Sequence, residues 1–268
     1  MSDELVAVVI PIYKNTISKW EKIALNQCFK VLSKYPIICI KPASLKLDKL
    51  LSGYHFTDLI SFDDRYFGNI EGYNRLMLSS DFYSAFLSYK YILLHQLDAF
   101  VFKDELQDWC AMDYDYIGAP WLRDKDYPDI IKKIKSKFLG FYNVRFNIQE
   151  NGLPSNIQFE NKVGNGGFSL RRVQKLHQLA CKHSKMIEYY NSQSDHRFHE
   201  DVFWSIEVNR KKRELKIPGY KKALQFAFEN SPERCLKLNN NNLPFGCHAW
   251  DKHLDFWKPF LKLQISGD

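Results

Sequence analysis

The segment Tyr91-Ile92-Leu93-Leu94-His95-Gln96-Leu97-Asp98 constrains this chain more than any other. A short apolar run of this kind suits a strand covered on both faces, as in the middle of a parallel sheet. Ligands of open α/β sheets bind beyond the carboxyl ends of such strands, so the run delivers Asp98 to an edge where chemistry is expected. The flanking pattern agrees. Val6–Tyr13, Pro36–Ile40 and Leu59–Phe62 read as further strands. Between them, Ser18–Tyr35 carries Trp20, Ile23, Ala24, Cys28, Val31 and Leu32 at helical spacing, and a second helix is expected from about Gly72 to Tyr89. This alternation specifies an α/β fold with a mostly parallel central sheet flanked by helices and right-handed crossovers.

Beyond Asp98 the alternation weakens. Asp104 is expected to cap a short helix over Glu105–Ala111, and Tyr114–Ile117 reads as a short strand. Residues 122–162 are polar and rich in Lys and Asn, and they read as a long excursion that acts as a flap. Arg172–Lys185 and Asp201–Asn209 read as helices, Ala223–Phe228 as a strand, and Leu254–Leu263 as an aromatic helix. No repeat and no interdomain linker is visible, so the 268 residues are expected to form a single domain.

Charge narrows the class of partner. The chain carries 38 Lys and Arg against 31 Asp and Glu, a formal net charge of +7. Much of the excess lies in two places: Arg123–Arg145 holds seven basic and three acidic residues, and Glu207–Lys222 holds seven and two. Such patches attract anions (lipid headgroups, diphosphates, nucleic acid) or are simply solvated faces. No nucleic-acid motif accompanies them, which disfavours a nucleic-acid partner. Six scattered cysteines without Cys-x-x-Cys spacing exclude a zinc ribbon and suit reduced thiols. With no bilayer-spanning run and no signal-peptide pattern, a soluble cytoplasmic protein is expected, at most peripheral to the membrane.

Four segments carry side chains suited to chemistry. Asp98 offers carboxylate oxygen to a hard cation such as Mg²⁺ or Mn²⁺, and His248, in a Gly-Cys-His turn, offers an imidazole. Read singly, a carboxylate after a strand is more often a turn-former and a lone His more often structural. Gly164-Asn165-Gly166-Gly167 permits close backbone approach, or is an ordinary tight turn. Glu200 and Asp201 open a helix, where the dipole favours carboxylates; the alternative is a general base at Asp201 with Glu200 orienting an acceptor. Asn74-Arg75 near the start of the second helix could bring a guanidinium to a diphosphate, although an ordinary surface arginine is the better reading of Arg75 taken alone.

In this order the motifs resemble GT-A glycosyltransferases. Tyr73-Asn74-Arg75-Leu76 and Gln96-Leu97-Asp98-Ala99 resemble the Phe-Asn-Arg helix and Asp-x-Asp strand of β-1,4-galactosyltransferase-type enzymes. Asn165–Ser169 and His199–Val202 resemble their Gly-Gly and Glu-Asp segments. A bacterial family of unassigned function is closer still, sharing the patterns of Gln96–Ala99, Asp115–Trp121, Gly164–Arg171, Glu200-Asp201 and Pro244–His248. The resemblance implies a GT-A-like domain with a nucleotide-binding half over about 1–103 and an acceptor-side half over about 104–268. It implies a nucleotide-diphosphate sugar donor bound by Pro11, Tyr13, Asn74, Arg75, Gln96, Asp98, Gly166 and Gly167. It further implies a divalent cation, Mn²⁺ or Mg²⁺, on Asp98 and His248, with Asp201 as base in an inverting transfer. Gln96 stands where the family's first Asp would be, which removes one carboxylate from the ribose or the cation. The implied acceptor is a glycan or lipid-linked oligosaccharide of surface polysaccharide (capsule or O-antigen) synthesis, at the inner membrane face. The alternative is a non-catalytic nucleotide-sugar or glycan-binding protein of the same fold.

Overall fold

The computed structural model describes residues 4–47 and 52–265. Four parallel strands form the centre: β1 (Glu4–Pro11), β2 (Ile37–Pro42), β3 (Asp58–Phe62) and β4 (Tyr89–His95), in the order β3-β2-β1-β4. Phe168–Arg172 adds antiparallel to β4, and Tyr116–Ile117 closes the six-stranded sheet. The apolar runs explain the order. Val6–Ile10 and Tyr91–Leu94 are fully enclosed, so β1 and β4 take the interior positions that only strands apolar on both faces can occupy. Successive side chains feed two cores. Val8, Ile10, Tyr91 and Leu93 face one layer, while Ala7, Val9, Ile92 and Leu94 face the other.

The first helix, Lys19–Leu32, begins where a capping box predicts it. Ser18 Oγ accepts from the Glu21 amide at 3.2 Å, and the Ser18 amide donates to Glu21 Oε2 at 2.6 Å. The single helix expected over 72–89 is instead two, Ile70–Leu78 and Ser80–Ser84. Ser79 divides them: its backbone is extended, its hydroxyl donates to the Leu76 carbonyl at 2.8 Å, and it accepts from the Phe82 amide at 3.1 Å. Asp104 does not cap the following helix, Leu106–Ala111; it accepts from the Tyr35 hydroxyl and pairs with Lys34.

Two further expectations are overturned. Ala223–Phe226 lies in the helix Tyr220–Phe226, and only Ala227–Phe228 is extended; Ala223 and Phe226 pack on the sheet while Leu224 turns to a cluster around Trp250 and Trp257. The 122–162 excursion is ordered into a 17-residue helix, Ile130–Phe146, followed by a hairpin of Gln149–Glu150 with Leu153–Pro154. Asp129 caps that helix by accepting from the Lys132 amide at 2.7 Å, and Asn147 ends it in the left-handed region at φ 48°.

Candidate functional site

At the carboxyl edge of β1 and β4 lies a cavity of about 560 Å³. Tyr13 enters it from just beyond β1 and Gln96 from just beyond β4. Asn74 comes from the helix Ile70–Leu78, Gly166 and Gly167 from the turn before Phe168, and Glu200 and Asp201 from the short helix Glu200–Val202. His248 arrives from beyond Gly246–Cys247. Eight of the residues singled out from sequence therefore line one space.

The two glycines are explained by their neighbours. A Cβ on Gly166 would sit 1.8 Å from Glu200 Oε1, and one on Gly167 would sit 2.1 Å from the His248 ring. The turn is bare because an acid and an imidazole occupy the space where side chains would go. Glu200 is buried and held by Arg171, which is wholly enclosed: its Nη2 donates to Glu200 Oε1 at 3.0 Å and to the Gly166 carbonyl at 3.1 Å. Arg171 also donates to Ser169 Oγ and to the Tyr83 hydroxyl. Burial raises the Glu200 carboxyl above its ordinary range and the Arg171 charge draws it back. The Glu200 amide donates to Asn74 Oδ1 at 3.1 Å, while Glu200 Oε2 is buried without a hydrogen-bond partner among the described residues.

Asp201 is next to this pair and behaves differently. Burial raises its carboxyl to about 7, helped by the negative charge of Glu200 and Glu229. It lines the cavity and also a second one of about 430 Å³, where Trp121, Phe159, Glu160 and His196 form the wall. His199 is the other residue shared by both. The Trp121 and Phe159 rings meet edge to face at 6.0 Å.

His248 sits between two carboxylates. Its Nε2 lies 3.2 Å from Asp98 Oδ1 and 3.0 Å from Gln96 Oε1, and its Nδ1 lies 3.1 Å from Glu229 Oε1. Burial opposes protonation, but hydrogen bonds to Asp98 and Glu229 outweigh it and raise the imidazole to about 10. The Asn165 amide also donates to Glu229. Carboxylate oxygen, carboxamide oxygen and imidazole nitrogen thus converge, and a second carboxylate orients the imidazole from behind, the usual outer partner of a metal-ligating histidine. No group of three His, Cys, Asp or Glu side chains able to hold a metal occurs among the described residues. A cation would take the remainder of its shell from phosphate oxygen and water, as Mg²⁺ and Mn²⁺ do, and would replace the Nε2 proton. On those terms the donor set fits.

Three singled-out residues are not among those lining the cavity. Asp98 reaches it only through His248, whose Nε2 it meets at 3.2 Å. Pro11 is buried at the end of β1, and Arg75 is exposed, with its Nη2 donating to the Asn191 carbonyl at 3.3 Å. Lys252, not Arg75, supplies an ammonium at the cavity wall. Neither Lys252 nor Glu229 belongs to a recognisable motif; Lys252 follows a left-handed Ala249 (φ 50°) that starts the turn Trp250–His253. Arg171 had a signal, since it closes the Gly164–Arg171 pattern, but its role emerges only from its contacts.

A family model described as a protein of unknown function, DUF5672, matches residues 56–248. The chain belongs to this family. The DUF5672 span contains every cavity residue named above except Tyr13 and Lys252. No curated protein matches the sequence. Among solved structures, the galactosyltransferase LgtC, in complex with donor and acceptor sugar analogues, superposes with a TM-score of 0.54 at 11% identity, over 90% of this chain and 86% of its own. Core-mannan synthase A of Aspergillus fumigatus, in its Mn/GDP form, gives 0.50 at 11% identity, over 81% and 72%. The glycosyltransferase GlyE of Streptococcus pneumoniae gives 0.49 at 14% identity, and the DUF5672 chain spans about half of it, 54%. The fold is that of GT-A glycosyltransferases: α/β, with a mostly parallel sheet flanked by helices.

Proposed function

We propose that this protein is a glycosyltransferase that moves a sugar from a nucleotide-diphosphate donor to a hydroxyl of a glycan or lipid-linked oligosaccharide. One observation carries the reading. Asp201, an acid raised to about 7, stands where two cavities meet, one walled by diphosphate-suited groups and the other by aromatic side chains. That is the place a general base must occupy between donor and acceptor.

The roles follow from position. Tyr13 stacks beside the nucleotide base, and Lys252 faces the diphosphate. Asp98 and His248, with the Gln96 carbonyl, would hold a divalent cation, and Glu229 orients the imidazole. When bound there, such a cation would supply electrostatic stabilisation of the departing diphosphate. Asp201 takes the proton of the acceptor hydroxyl as its oxygen bonds to the anomeric carbon. The bond from that carbon to the phosphate oxygen breaks, and the diphosphate leaves with the electron pair. A base on the acceptor side gives inversion. Glu200, with one oxygen pinned by Arg171 and the other unpartnered, orients an acceptor hydroxyl. Residues up to about 103 supply the nucleotide side and the remainder the acceptor side, with Glu229, His248 and Lys252 returning to the diphosphate, within one domain. Surface polysaccharide synthesis on the cytoplasmic side is the setting that suits such an acceptor.

Asp201→Asn separates an enzyme from a non-catalytic binder. Transfer from a panel of nucleotide sugars should fall by about 10²–10⁴ while donor affinity, by isothermal titration with Mn²⁺, is kept. Failure of every nucleoside diphosphate to bind would end the reading, and unchanged turnover in the variant would remove Asp201 as base.

A further inference from the structure

We infer that the helix Ile130–Phe146 is a membrane-surface anchor that embeds its outward face in an anionic lipid bilayer. The inference stands apart from the transfer reaction, because it rests on a helix whose polarity is inverted. Soluble helices turn an apolar stripe to the core and a polar face to water. Here Asn143 is the one buried residue of the helix, and half-buried Ser136 and Gly140 share its side. Polar contacts hold that side down. Ser155 Oγ donates to Asn143 Oδ1 at 2.6 Å, and Arg210 Nη1 donates to the Val144 carbonyl at 2.6 Å.

The opposite face is apolar and bare. Ile131 and Phe138 are each 70% exposed, Ile130 65%, Phe141 64%, and Ile134 and Phe146 61%. At roughly 100° per residue these positions, with Leu139 and Tyr142, occupy about half the helix circumference. Lys132 and Lys137 border that stripe on either side, and Lys135 and Arg145 rise through it on long stems that can carry their charge outward. The helix contains five basic residues and no acidic one.

Charge and shape together select the occupant. A continuous exposed apolar stripe marks an interaction site rather than ordinary surface. Its cationic margins complement phospholipid headgroups, and a projecting ridge suits a deformable bilayer better than a preformed groove. The helix is about 25 Å long, and no helix among the described residues is long and apolar enough to cross a membrane, so it lies in the interface plane. The helix packs on the turn Asn156–Gln158, which leads directly into Phe159 and Glu160 of the second cavity's wall, so that cavity lies on the same side of the molecule as the helix.

Co-sedimentation of the full chain with vesicles tests this. Binding is expected to phosphatidylcholine mixed with phosphatidylglycerol, and about tenfold or more weaker binding to phosphatidylcholine alone. The double variant Phe138→Glu/Phe141→Glu, whose changes are both in solvent, should keep its circular dichroism and melting point and lose most of the binding. Retained binding by the variant overturns the inference, as does absence of wild-type binding to the anionic vesicles. A concentration-dependent dimer that the same variant disperses, without lipid binding, would assign the stripe to a second copy and also overturn it.

Discussion

At the scale of single residues, the site is an arrangement of charges that burial alone would forbid. Arg171 and Glu200 are both enclosed, and each is tolerated because the other is present. Arg171→Met should therefore destabilise the protein by about 3–5 kcal/mol in urea unfolding, and adding Glu200→Gln should recover much of it. Gly166→Ala forces a methyl group against Glu200, at an expected cost of about 1–3 kcal/mol together with lost activity. Asp201 contributes a pH signature. Its folded-state carboxyl is raised to about 7, so between the ordinary carboxylate range and that point the native state holds a proton the unfolded state has released. Stability from this group falls as pH rises through that window and is level above it, while a transfer that needs the ionised base rises through about 7. A pH–rate profile and unfolding curves at pH 5 and 8 check both signs, and Asp201→Asn should flatten the stability slope.

Among the elements, the helix Ile130–Phe146 shows how a pattern can be present and still be misread. Ile130, Ile134, Phe138 and Phe141 recur at helical spacing, but lysines at 132, 133, 135 and 137 give the stretch the look of a polar loop. The stripe faces outward, so no core-seeking argument would find it. Besides the bond between Ser155 and Asn143, Arg210 holds the helix: its Nη1 bonds the Val144 carbonyl and Gln158 Oε1, and its Nε meets Glu207. Arg210→Ala should free the helix without unfolding the sheet. Hydrogen exchange over 130–146 should accelerate about tenfold or more, as expected from losing charge-assisted bonds, with β1 and β4 unchanged. The break at Ser79 is a comparable case, since a hydroxyl that serves two helix ends outweighs the continuous apolar spacing on either side.

At the level of the whole molecule, ligand binding and folding are linked. Tyr13, Gln96, Gly167 and His248 come from chain segments that meet only in the native state. A nucleoside diphosphate with Mn²⁺ should therefore stabilise the fold, by about 2.7 kcal/mol at a hundredfold excess over Kd. Calorimetric melting should show the shift shrink on chelation of the metal and in Asp98→Asn.

The sequence alone determined the central strands, their parallel arrangement and the residues at their carboxyl ends, while their lateral order came from the structure. Runs such as Val6–Ile10 and Tyr91–Leu94 can be satisfied only by burial on both faces, and that requirement is local. It also marked Gln96, Asp98, Gly166, Gly167, Glu200 and His248 as candidates, because their types and order are legible along the chain. Only the tertiary structure decided that Glu229 backs His248, that Lys252 rather than Arg75 reaches the cavity, and that Arg171 steadies Glu200. Those choices depend on which distant side chains share a low-dielectric space, and a one-dimensional pattern does not encode the distances on which their charges act.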